Sequence, residues 1–137
     1  MLKEISRDLI RGYLDDVGVS TRIDDDGDIF TLLRADENFN HDVAVFFNVN
    51  GNWLWIFGQA HNLTVEESDK TRVLKILNEH NRKAKIVNGY MMKETIRFEH
   101  CYLLDEEVSE AYIKENCLRM TVSAIWHSFC DFGKAFG

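Results

Sequence analysis

Proline is absent from the 137 residues, and cysteine occurs only three times, as Cys101, Cys117 and Cys130. With no proline, no repeat and no low-complexity stretch, nothing marks a linker or a second domain. The odd cysteine count and the lack of a CxxC pair argue against a disulfide scaffold. If Cys117 and Cys130 share a helix, their spacing points them to different sides, so some of these thiols read as buried small hydrophobes in a reducing compartment. No GxGxxG or GxxxxGK[ST] loop occurs, which removes the sequence warrant for nucleotide binding. The longest apolar runs fall short of the 18 residues of a membrane span, and the acidic, amphipathic start MLKEISRDLIRGYLDD does not read as a signal peptide. The chain is therefore expected in the cytoplasm.

What the chain does have is bulk and negative charge. Nine Phe, three Trp and four Tyr supply a core for one ordinary domain. The 23 acidic residues outnumber the 16 basic ones, for a net charge of −7, which repels polyanions on average. Binding of nucleic acid would need a local basic patch, and Lys70, Arg72, Lys75, Arg82, Lys83 and Lys85 are the candidates. Glu66, Glu67, Asp69 and Glu79 are interspersed with them, so this stretch reads as the solvated side of a helix, and nucleic acid is an unfavoured partner.

Periodicity organises the rest. Residues 3–17 show apolar side chains at helical spacing, among them Leu2, Ile5, Leu9 and Tyr13, with Gly18 as a stop. Short strands are expected at 19–23 and 28–34, around the acidic turn Asp24-Asp25-Asp26-Gly27. In a strand over 42–49, Val43, Val45, Phe47 and Val49 point one way, and Ala44 and Phe46 the other. Asn50-Gly51 signals a hairpin. Trp53, Trp55 and Phe57 then share one face of the next strand, with Leu54 and Ile56 on the other. Thr64 and Glu67 have the spacing of a capping box, predicting a second helix from Thr64 with Val65, Asp69, Val73, Ile76, Leu77 and His80 inward. Strands return around 86–90 and 95–104, where Ile96, Phe98, His100, Tyr102 and Leu104 form one face. A last helix is predicted beyond Asp105, with Glu106 and Glu107 in its first turn and Val108, Ala111, Tyr112, Leu118, Val122, Ile125, Trp126 and Phe129 inward; Glu115 falls within that stripe. The order α-β-β-β(-β)-α-β-β-α describes an α+β domain spanning 1–137, an antiparallel sheet packed against helices.

Catalytic and metal chemistry find little support. Aligning Gly27 with the sixth position of a calcium loop puts Arg22 at the first and Leu33 at the twelfth, both unsuited as ligands, so Asp24 to Asp28 reads as an acidic hairpin turn with at most weak divalent binding. The five histidines form no HExxH motif. His127 and Cys130 stand three residues apart, with no orienting acid or oxyanion donor identifiable. No catalytic residue, metal or cofactor is expected. The aromatic ribbon is the better clue: Phe46, Trp53, Leu54, Trp55 and Ile56 present bulky groups on both faces of adjoining strands, where one face could dock a peptide, a second subunit or an apolar ligand.

The segment Leu74-Lys-Ile-Leu-Asn-Glu-His-Asn81, a helix ending in LNxxN before a strand pair and a long helix, together with the DGD turn at Asp26 to Asp28, resembles the YbjN-like bacterial proteins, described as candidate regulators of sensory transduction. The resemblance runs over nearly the whole chain. It implies a fold like that of the type III secretion chaperones, a dimeric, acidic protein able to hold a peptide or another protein, and it brings no catalytic residues. Asn78 and Asn81 match the helix end of that pattern. The function expected is a non-enzymatic, protein-binding regulator or chaperone-like adaptor, with a homodimer possible and no membrane. The alternatives are a small-molecule-binding or catalytic domain, in which His100, Tyr102 or a carboxylate would converge with apolar walls, and a nucleic-acid-associated regulator using the basic patch at 70–85.

Overall fold

The computed structural model describes residues 5–84, 86–105 and 107–137. Leu2, Lys85 and Glu106, which figure in the expectations above, lie outside the described residues. Helix α1 (Arg7–Asp16) begins where the Ser6 hydroxyl accepts the Leu9 amide and buries Ile10 and Leu14. Strands β1 (Arg22–Ile23), β2 (Ile29–Leu33), β3 (Val43–Asn50) and β4 (Trp53–Ala60) follow as a meander. After a 3-10 turn at Glu67–Asp69 come α2 (Lys70–Lys83), β5 (Asn88–Met92) and β6 (Thr95–Leu103). The final helical stretch is continuous: α3 (Glu110–Tyr112), a π-helical segment (Ile113–Arg119) and α4 (Met120–Phe136). All pairings are antiparallel, in the order β1-β2-β3-β4-β6-β5, so the predicted α+β architecture is the one found.

Strict alternation divides the sheet into two faces. Val43, Val45, Phe47, Leu54, Ile56, Ile96 and Phe98 are buried on the inner face, beneath α2 and α4. The Phe98 ring meets Phe129 of α4 edge-on at 4.8 Å and the His80 ring of α2 at 4.9 Å. Gly58 lets the last helix approach β4: a Cβ there would collide with the Ile125 side chain. The β3–β4 loop is Gly51-Asn52, since Asn50 still pairs with Trp53. Gly51, at φ +60°, occupies the first central position, which a type II′ turn reserves for glycine.

Three local expectations are corrected. The Thr64–Glu67 cap does not form, because the Val65 amide donates to the Glu94 carbonyl of the β5–β6 turn at 2.7 Å, which holds this stretch extended and delays α2 to Lys70. Ala111 and Tyr112 are exposed, and Ile113 and Cys117 are buried instead, while Leu118 is buried as expected. The π-helical segment is the reason: its wider turn shifts the phase of every residue before it relative to α4. Glu115, expected within that stripe, is exposed and pairs with Arg119 at 3.0 Å.

Asn81 explains half of the LNxxN pattern. Its Oδ1 accepts the Gly89 amide at 2.7 Å, and its Nδ2 donates to the Gly89 carbonyl at 2.8 Å. One side-chain amide thereby closes both outward backbone groups of Gly89 on edge strand β5 and ties α2 to the sheet. Asn78 is exposed. Replacing Asn81 by Ala should lower unfolding stability in urea by about 1–3 kcal/mol, the cost of orphaning backbone groups. Asn81→Asp should fare no better, because a carboxylate cannot return a donor to the Gly89 carbonyl. Unchanged midpoints for both variants would show that the clasp is idle.

Candidate functional site

With the helices on one side, the opposite sheet face gathers the remaining large side chains. Cross-strand register aligns Phe30 of β2, Phe46 of β3, Phe57 of β4 and Glu99 of β6 in one row. Phe30 and Phe46 stand 5.8 Å apart, Phe46 stacks on Phe57 at 5.0 Å, and Phe57 leans on Trp55 at 4.5 Å. Trp53 continues the same face, paired across the sheet with Leu103. Both are well exposed, at 49% and 57%.

The polar groups of this face are engaged with its aromatics. The Trp55 indole N–H donates to the Glu99 carboxylate. The Arg97 guanidinium lies over Phe57, 4.6 Å from its centroid, while its Nε donates to Gln59 at 2.9 Å. Tyr90 joins the group beside Arg97 and Glu99; burial lifts its phenol above the ordinary range, and its hydrogen bond with Arg97 pulls the other way. A partner covering this face would therefore meet charges that already have neighbours, which lowers the desolvation cost of docking.

Of the five residues anticipated as partner contacts, the structure brings Phe46, Trp53 and Trp55 to the open face. Leu54 and Ile56 are fully buried and are corrected to core residues, because α2 and α4 cover their side of the sheet. Phe30, Phe57, Arg97, Glu99 and Leu103 were missed. Phe57 shares its strand face with the Trp pair and Phe30 joins through the meander, but the convergence of Arg97, Glu99 and Leu103 depends on β6 lying beside β4, a long-range pairing that one strand's pattern does not reveal.

The other candidate sites are occupied by structural roles. Lys70 pairs with Glu67 at 2.7 Å, Arg82 and Lys83 share Glu79, and Arg72 covers the Phe136 ring at 4.1 Å. The basic residues of α2 are thus largely spoken for by acids and an aromatic. The carboxylates of Asp24, Asp26 and Asp28 converge to within 4.8 Å, but Asp24 Oδ1 accepts the amides of Asp26 and Asp28 at 3.0 and 2.8 Å and serves to close the turn. The Tyr102 hydroxyl is hydrogen-bonded to buried Thr121 at 2.6 Å, beside the His100 ring. A groove of about 560 Å³ between α2 and α4 has apolar walls that include Ile76, Phe98 and Phe132, with Lys75, Glu79, Lys83 and Asp131 also lining it. His80 also lines it, and its Nε2 is buried from water with no hydrogen-bond partner among the described residues.

The comparison with solved structures places this geometry. The chain superimposes on the crystal structure of YbjN from E. coli, a candidate transcription regulator, with a TM-score of 0.74, over 95% of this chain and 92% of that one. This chain has the fold of YbjN. Sequence identity is 13%, so the likeness to YbjN is one of architecture. No family model matches the chain, and no curated protein matches it in sequence.

The thiols offer a direct check on the two-faced sheet. Cys101 lies exposed on the open face, whereas Cys117 and Cys130 are buried within the last helical stretch. Loss of solvation drives the Cys117 thiol up to about 11 and raises Cys130; burial and the Glu99 charge also raise Cys101. A disulfide reagent at pH 8 should modify one thiol in the native protein and all three after denaturation. Raising the pH should speed the native reaction at Cys101, as its thiolate fraction grows. Rapid native labelling of Cys117 would contradict the burial described.

Proposed function

We propose that this protein is a non-enzymatic regulator that works by docking a protein partner on the open face of its sheet. The observation that carries the reading is the continuous aromatic row Phe30–Phe46–Phe57–Trp55, extended by Trp53 and Leu103, on the side of the sheet away from the helices. Large, stiff aromatic side chains bury much area for little rotamer entropy, which suits them to interface centres. The edges offer less: β1 has two residues, and Asn81 occupies the β5 edge at Gly89, so the face rather than a strand edge is the docking surface. A chaperone-like hold on an extended peptide and a contact with a second copy are two forms of the same docking. No described helix is long and apolar enough to cross a membrane, and a cytoplasmic setting fits a protein with free thiols.

A photo-crosslinking residue tests this directly. Placed at position 53 in the full chain, it should yield defined protein adducts in native extract, a second copy of the chain being one recognisable product. The same group at position 74, an equally exposed leucine site on α2, should yield none of them. Adding Trp55→Ser should reduce the position-53 adducts by about tenfold or more, the effect of losing an interface anchor. Identical products from both positions, or none from position 53, would refute the docking face.

A further inference from the structure

We infer that the open face carries a subsite for the guanidinium of an arginine on the docked partner; this rests on the docking reading above and specifies its chemistry. The subsite is a hollow of about 280 Å³ lined by Asn48, Asn50, Trp53, Trp55, Glu99 and Cys101. Trp53 and Trp55 are two residues apart on one strand and point to the same face, which separates their stems by about 7 Å, twice the thickness of a flat stacked group. Phe57 packs on Trp55 at 4.5 Å and is not part of the hollow, so the indole's other flank borders it.

The charge in this hollow has one sign. Glu99 is its only ionised side chain, no lysine or arginine lines it, and Glu99 makes no ion pair among the described residues. Trp55 donates to Glu99 Oε2 and Tyr90 stands beside the same carboxylate, so a ligand donor would share that carboxylate with them. The Asn48 and Asn50 amides add further acceptors. A cation with planar donors suits two indole walls and a carboxylate better than a compact ammonium does. The face already seats one such group, since Arg97 covers Phe57 at 4.6 Å. The net charge of −7 favours approach of a basic segment.

N-acetyl-arginine amide and its uncharged citrulline counterpart are the probes, followed through the three indole N–H resonances of labelled full-length protein. The arginine probe should shift Trp53 and Trp55 and leave Trp126, which packs near Phe39 on the helix side, in place. Glu99→Gln retains an acceptor for Trp55 and should weaken the probe about fivefold or more, whereas Glu37→Gln, an equal change of net charge at an exposed loop site, should change it less than about twofold. Equal binding of citrulline and arginine, or equal effects of the two variants, overturns the assignment. Adducts from position 53 that persist while the arginine probe leaves the Trp53 and Trp55 resonances in place would remove the subsite and keep the docking face. Failure of the adducts in the unmodified chain would remove the face itself.

Discussion

Phe98 and Phe129, edge to face at 4.8 Å, lock α4 onto the middle of the sheet, and the rest of the molecule depends on that contact. It forms only because β6 lies beside β4, which puts Phe98 opposite Gly58, where the absent Cβ admits Ile125 from the same helix. Burial of this junction fixes the parity of every strand at once. A one-residue slip in β4 would turn Trp53 and Trp55 inward and Leu54 and Ile56 outward, and one in β6 would turn Phe98 out of the core. The open face is therefore not an accident of surface composition; it follows from which residues the helices consume.

That division also separates the two kinds of polar group in the structure. Beneath the helices they tie elements together, Asn81 by closing the Gly89 backbone groups and Tyr102 by its hydrogen bond with the Thr121 hydroxyl. On the open face they attach to aromatic rings, as Arg97 does to Phe57 and Glu99 to Trp55. The first kind specifies the fold, while the second leaves polar groups poised at an apolar surface, which is how a docking face gains selectivity without losing area.

Much of the architecture was legible in local pattern. Alternation in β3, β4 and β6, and the glycine turn after Asn50, suffice for the meander and for the faces within each strand. What was not legible depends on distant partners. The start of α2 is set by a hydrogen bond from Val65 to Glu94 rather than by the capping spacing at Thr64. The π-helical segment re-phases the last helix, so Ala111 and Tyr112 belong to solvent although they match the helical period. Leu54 and Ile56 could not be told from Trp53 and Trp55 as contact residues until the covered side of the sheet was known. Likewise, Glu99 gains meaning only beside Trp55.

Residue-resolved labelling of the dilute native protein with a small diffusible carbene tests this parity most directly, because it reads side-chain access on both faces in one sample. The account predicts modification of Trp53, Trp55, Phe46 and Leu103, with Leu54, Ile56 and Phe98 protected until unfolding. Labelling of Leu54 and Ile56 in the folded chain, with Trp53 and Trp55 protected, would contradict it.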